Sequence, residues 1–241
     1  MITVIVSSYN RPRLIRDALD SVFDQHQQAV GLLQVLVADD HSNAETLNVL
    51  ASYGDRIQVI QPPGPPANAN ERQHGQRCAV AINAALPHAL GTYLAFLPDD
   101  DFLLPNSLAC RAAFLATNHV ARVVYGRLES CTSERPRGGI HWGVGSGQGC
   151  QHNRNSFFSA KPIARAGNHV DHSMIMVRRL PHLPEWPEIP LTTPEVCDCP
   201  DAGWLLRLEL RGWGPFFSVP DFVAVKRYHG FGHRTDPGQR E

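Results

Sequence analysis

The chain has 241 residues, enough for one large domain or one domain with a smaller lobe, and 43% of them are apolar, an ordinary share for a globular core. A formal net charge of −1 argues against a nucleic-acid binder that works through a basic surface. No window approaches the roughly 18 to 20 uninterrupted apolar residues of a membrane span.

The first six residues, Met-Ile-Thr-Val-Ile-Val, lack the basic start and small-residue cleavage site of a signal peptide. They read as the first strand. The six cysteines are scattered, and Cys197 and Cys199 do not have the C-x-x-C spacing of zinc or redox sites. A reduced, cytoplasmic protein is the expectation.

Residues 2–7 form an apolar run that ends in Ser8-Tyr9-Asn10. Pro12 follows where the first turn of a helix tolerates proline, and Leu14, Ile15, Ala18, Leu19, Val22 and Phe23 continue at helical spacing. Residues 33–38 are the next strand, closing on Asp39-Asp40. Helix is predicted over 46–53, with Asp40 or Ser42 as the cap, then strand over 57–60 and helix over 77–86. Strand 92–97 runs into Pro98-Asp99-Asp100-Asp101, followed by helix 107–117 and strand 122–128.

Beyond residue 130 the composition changes. Residues 130–155 are rich in Gly, Arg, His and Ser and read as a long loop, a candidate lid. Strand is predicted over 173–177, helix over 199–211 with Gly212 as its stop, and strand over 216–228. Alternating strands and helices predict an α/β fold, a mainly parallel central sheet with helices on both faces. In such sheets ligands bind beyond the carboxyl ends of the strands, and all three polar turns follow strands.

The residue types suggest a chemistry. Carboxylates at 99–101 suit a hard divalent cation, Mn²⁺ or Mg²⁺, bound together with phosphates. Asp39 and Asp40 can accept hydrogen bonds from a nucleobase or ribose, and Arg72 and Arg77 are candidate partners for base or phosphate. Asp201 opens a helix, where it is either a cap or a general base for an acceptor hydroxyl. Lys226, Arg227, His229 and His233 sit among glycines, where imidazole can ligate a metal and cations can clamp a diphosphate. Trp142, Trp186, Trp204 and Trp213 suit core packing or stacking on sugar faces.

With these residues in view, the chain resembles the family-2 glycosyltransferases of the GT-A fold. The likeness rests on residues 4–12, on Ala38-Asp39-Asp40-His41-Ser42, on the DxD-type run Pro98-Asp99-Asp100-Asp101, and on Val170-Asp171-His172-Ser173 and Pro200-Asp201-Ala202. It implies an inverting hexosyltransferase-type enzyme that moves a sugar from a nucleoside diphosphate, a UDP-type donor, to the hydroxyl of a sugar or small-molecule acceptor. Ser8 and Tyr9 would lie near the nucleoside, Asp39 would bind uracil, and Arg72 would lie beside the base. Asp99, Asp100 and Asp101 would form the metal and diphosphate site, with His229 a further donor-side residue and Asp201 the base. Residues 1–129 would form the nucleotide-sugar-binding half, and 130–241 the acceptor-binding and catalytic-base half, of one GT-A domain.

Two alternatives differ in their demands. A sugar nucleotidyltransferase needs a glycine-rich basic loop after the first strand, and Ser8-Tyr9-Asn10-Arg11-Pro12 contains no glycine. An inactive nucleotide-sugar-binding module predicts loss of the acids, yet Asp39, Asp99, Asp100 and Asp201 are all present.

Overall fold

The structure, a computed structural model, describes residues 1–26, 32–65, 77–131, 151–152, 170–188 and 200–227. Its backbone is one sheet in the order β3 (Gln58–Ile60), β2 (Leu33–Asp39), β1 (Ile2–Ser8), β4 (Tyr93–Pro98), β8 (Ile175–Arg178), β6 (Val123–Cys131), β9 (Phe217–Arg227) and β5 (Phe102–Leu103). A short β7 (Gln151–His152) pairs with β6.

The first four strands are parallel, because α1 (Pro12–His26), α2 (Ala44–Ala51) and α3 (Arg77–Ala85) lie between them as crossovers. Beyond β4 the sheet is mixed. β8 runs antiparallel to β4 and β6, β9 parallel to β6, and β5 antiparallel to β9. β1 is buried along its whole length, as a strand covered on both faces must be. At the irregularity where β6 meets β9, Gly126 permits close approach, since a Cβ there would lie 2.3 Å from Val223.

The helices follow the sequence pattern with small shifts. Ile15, Ala18, Leu19 and Val22 of α1 are fully buried. α2 starts two residues earlier than the predicted 46–53, because Asn43 is its cap and accepts from Thr46 N at 2.9 Å. Neither Asp40 nor Ser42 caps that helix. α4 spans Ser107–Thr117 and α5 spans Pro200–Leu210. Among the described residues no helix is long and apolar enough to cross a membrane.

An aromatic brace ties β4 to α5. The rings of Trp186 and Trp204 stack with centroids 4.6 Å apart, and Phe96 of β4 meets both edge-on at 5.2 and 5.1 Å. Trp204 Nε1 donates to Pro184 O at 2.8 Å, while Asn83 of α3 exchanges hydrogen bonds with the backbone of Trp186. These tryptophans, with buried Trp213, are core residues rather than sugar platforms; Trp142 lies outside the described residues. Trp204→Ala should therefore destabilise the fold by about 3–5 kcal/mol, measured by denaturant unfolding. A loss under about 1 kcal/mol would mean that the brace carries little of the packing.

Candidate active site

Strand register builds the site. Ser8 lies abreast of Asp39, and Ser7 abreast of Pro98, so the turns after β1, β2 and β4 leave the sheet side by side. Backbone and side chain then bind these turns together. Tyr9 N donates to Asp99 Oδ2 at 2.8 Å, and Asp40 N donates to Ser8 O at 2.9 Å. Asn10 N donates to Ser42 Oγ at 3.0 Å, and Asn43 N donates to Asn10 Oδ1 at 2.6 Å. Asn10 and His41 hold left-handed backbone, φ +51° and +56°. Strain of this kind persists where the surroundings hold it, and it gathers at functional sites.

Asp39 is fully buried. Its Oδ2 accepts from Ser42 N at 3.0 Å and Gln61 Nε2 at 2.9 Å, whereas Oδ1 has no hydrogen-bond partner among the described residues. Ser8 Oγ is in the same condition. Buried polar atoms of this kind are expensive unless a ligand or water completes them. Asp40 instead pairs with Arg77, whose Nη2 reaches Oδ1 at 2.5 Å. Arg77 therefore anchors the start of α3 to the β2 turn.

The acidic turn after β4 is almost wholly buried, at 3, 5 and 1% exposure for Asp99, Asp100 and Asp101. Arg11 Nη1 donates to Asp99 Oδ1 at 2.7 Å and lies 3.0 Å from Asp100 Oδ2. Burial drives the Asp99 carboxyl above its ordinary range, against the pull of Arg11. Asp101 turns toward β9, where its Oδ1 accepts from Arg227 N at 3.1 Å and its Oδ2 is buried with no hydrogen-bond partner among the described residues. Burial, with Asp100 and Asp171 as like charges, pushes Asp101 well above the usual carboxylate range.

A second cation closes the far side. Lys226 Nζ donates to Asp171, which also accepts from Ser173 N and Oγ at 3.1 Å. Burial works to raise Asp171, but His172 and Lys226 outweigh it and hold the carboxyl below its ordinary range. The His172 ring meets Trp186 edge-on at 5.7 Å. Arg227 Nη1 reaches Asp17 of α1 at 2.8 Å, fastening the end of β9 beside the acidic turn.

The sequence-predicted residues fall into two groups. Ser8, Tyr9, Asp39, Asp99, Asp100 and Asp101 gather at one sheet edge. Asp201 lies in the first turn of α5, with its side chain outside the described residues, as are Arg72 and His229 altogether. Trp204, three residues after Asp201, touches Phe96, three residues before Asp99. Sequence reasoning singled out Asp171 and Lys226 separately but not their pairing, and it missed Arg111. Arg111 is fully buried and donates to Ser107 O and Oγ and to the carbonyls of Ser173 and Ile175. Burial lowers its pKa to about 10. Its helical spacing was the one available signal: an arginine at an inward position of α4.

The glycosyl transferase family 2 profile matches residues 3–182, and the chain belongs to that family. Protein CgeD of Bacillus subtilis (strain 168) is 35% identical over 128 residues, covering 52% of this chain and 29% of CgeD. Among solved structures, S. aureus TarS 1–349 in complex with UDP-GlcNAc superposes with a TM-score of 0.60 at 18% identity, over 97% of this chain and 60% of that one. Glucosyl-3-phosphoglycerate synthase from Mycobacterium tuberculosis, in complex with Mn²⁺, UDP and phosphoglyceric acid, gives 0.57 at 17% identity, over 95% and 71%. These likenesses show the GT-A fold. The chain thus spans under a third of CgeD and about three-fifths of that TarS chain.

A charge prediction follows from the burial. In the metal-free chain Asp101 holds its proton to higher pH when folded than when unfolded. The native state therefore binds more protons between the ordinary carboxylate range and that raised value, and stability rises as pH falls through it. Asp171, with its depressed value, acts oppositely and only below the ordinary range. Asp101→Asn should raise the thermal midpoint at neutral pH in EDTA and flatten the gain on acidification, read by calorimetry from about pH 8 to about pH 5. A variant less stable than its parent at neutral pH would contradict this charge balance.

Proposed function

We propose that the chain is an inverting, metal-dependent transferase that moves a sugar from a UDP-sugar to an acceptor hydroxyl. One observation carries the reading: three strand-end turns, hydrogen-bonded to one another, bring Asp39 and Asp99–Asp101 to a single edge in a family 2 fold. Asp39 Oδ1 and Ser8 Oγ, buried without partners among the described residues, suit a nucleoside that supplies the missing donors and acceptors. Tyr9, partly exposed beside them, suits stacking on the base, with Arg72 next to it. The TarS and synthase complexes, which hold UDP-GlcNAc and UDP, support the nucleotide.

The residues present fit a divalent cation. Burial raises Asp99 and Asp101, and Asp101 Oδ2 has no hydrogen-bond partner among the described residues, so added positive charge here relieves repulsion. Among the described residues no group of three His, Cys, Asp or Glu side chains forms a metal cage, which suits an ion completed by donor phosphates. Asp100 and Asp101 would hold it, with Asp99 and His229 on the donor side. Bound there, the cation would neutralise charge on the departing diphosphate.

Asp201 is assigned as the base that takes the acceptor proton while that oxygen attacks the anomeric carbon opposite the leaving diphosphate. The contact of Trp204 with Phe96 supports a position of the α5 start near the β4 turn. Residues 1–129 would serve the donor, and 130–241 the acceptor and base. Within the family we take the spore-coat polysaccharide glycosyltransferase SpsA as a functional template. The scattered cysteines suit a reducing, cytoplasmic setting.

Asp100→Ala should abolish the Mn²⁺-dependent part of UDP binding, followed by calorimetry with and without the metal; unchanged metal dependence would remove Asp100 from the site. Asp201→Asn should keep donor affinity while transfer falls by about 10²-fold or more. Normal turnover in that variant would mean that another group is the base.

A further inference from the structure

We propose that Arg11 is a resident counter-cation that exchanges between the Asp99–Asp100 pair and the donor diphosphate, an inference that rests on the metal and diphosphate reading above. Three features of the chain carry it. First, both contacts run through one nitrogen: Nη1 donates to Asp99 Oδ1 at 2.7 Å and lies 3.0 Å from Asp100 Oδ2. Arginine carries five donors in a planar fork, so a second anion can be engaged without wholly surrendering the first.

Second, exposure is asymmetric. The Arg11 side chain is 31% accessible, whereas those of Asp99 and Asp100 are at 4 and 6%. The acids are fixed in a turn, with Tyr9 N also holding Asp99, and the cation lies at the wet side of the pair. Of the three side chains it is the one that solvent and an arriving ligand reach.

Third, its backbone is anchored at the start of α1, directly after the β1 turn. Arg11 O accepts from Ile15 N at 3.0 Å, so the residue stands at the N-terminal boundary of α1, a helix of 15 residues. A divalent ion on Asp100 and Asp101 would share Asp100 with the guanidinium and repel it at short range, and the diphosphate accompanying that ion offers the guanidinium a new partner. In the ligand-free chain Arg11 compensates the buried acids and keeps the turn folded. In the donor complex it clamps phosphate.

The test uses Mn²⁺ alone, UDP alone and both, titrated calorimetrically into the whole chain and into R11Q, R11K and R13Q. Exposed Arg13, two residues on, controls for loss of one nearby positive charge. R11Q should bind Mn²⁺ alone about tenfold tighter than the parent, since the competing cation is gone. Its thermal midpoint should fall in EDTA and recover with Mn²⁺ more than the parent's rises. The factor by which Mn²⁺ tightens UDP binding should shrink in R11Q, stand between the two in R11K, which keeps the charge without the fork, and be unchanged in R13Q. Equal Mn²⁺ affinities and equal midpoint responses in parent, R11Q and R11K would overturn the exchange while leaving the metal site intact. A parent that binds no Mn²⁺ with or without UDP would overturn both. Should R11Q not fold, the R11K comparison decides.

Discussion

Parallel pairing of β1 with β2 and β4 is the constraint on which the rest of the structure depends. Parallel strands need crossovers, and crossovers return every strand in the same direction. All three carboxyl ends then emerge at one edge, with Ser8 abreast of Asp39 and Ser7 abreast of Pro98. Residues 90 positions apart in sequence, Tyr9 and Asp99, become hydrogen-bonded neighbours through register alone. A one-residue slip in either pairing would turn each strand over and separate the acids.

That edge collects more negative charge than a buried surface tolerates unaided. Besides Asp39 and Asp40, the buried carboxylates of Asp99, Asp100, Asp101 and Asp171 lie here with the cations Arg11, on Asp99 and Asp100, and Lys226, on Asp171. The allocation is uneven. Asp171 is held below its ordinary range by His172 and Lys226 despite burial, whereas Asp101 is driven above it. Breaking a buried pair leaves an uncompensated charge, so the cations stabilise the turn as much as they tune it. Burial and like-charge repulsion fall on Asp101, where added positive charge would favour the ionised carboxylate.

Much of this was legible in the residues, and the limits have physical causes. A strand that ends in a polar turn announces itself locally, which is why the turns at Ser8, Asp39 and Asp99 could be read directly. The start of α1 and the span of α4 were equally plain, since the apolar period acts within a few residues. The cap of α2 was misread because Asp40 finds Arg77, 37 residues away, leaving the role to Asn43. The antiparallel β8 and the return of β9 beside β5 depend on pairings across many tens of residues, for which a single sequence carries no marker. Arg111 is the same difficulty in one side chain. Its charge suggests the surface, yet backbone carbonyls of β8 and of the turn before it hold it in the core.

The aromatic brace then acquires a role beyond packing. Phe96 precedes Asp99 by three residues on a strand buried along its middle, and Trp204 follows Asp201 by three on α5. A strand and a helix joined by stacked and edge-on rings have few ways to shift, because cores at this density do not deform continuously. Trp186 extends the brace to His172, the neighbour of Asp171, so the acidic turn, the Asp171–Lys226 pair and the start of α5 share one aromatic cluster. The proposed transfer would depend on donor and acceptor groups held to a fraction of an ångström. Rigidity at that cluster is the way this fold can supply such placement from chain segments a hundred residues apart.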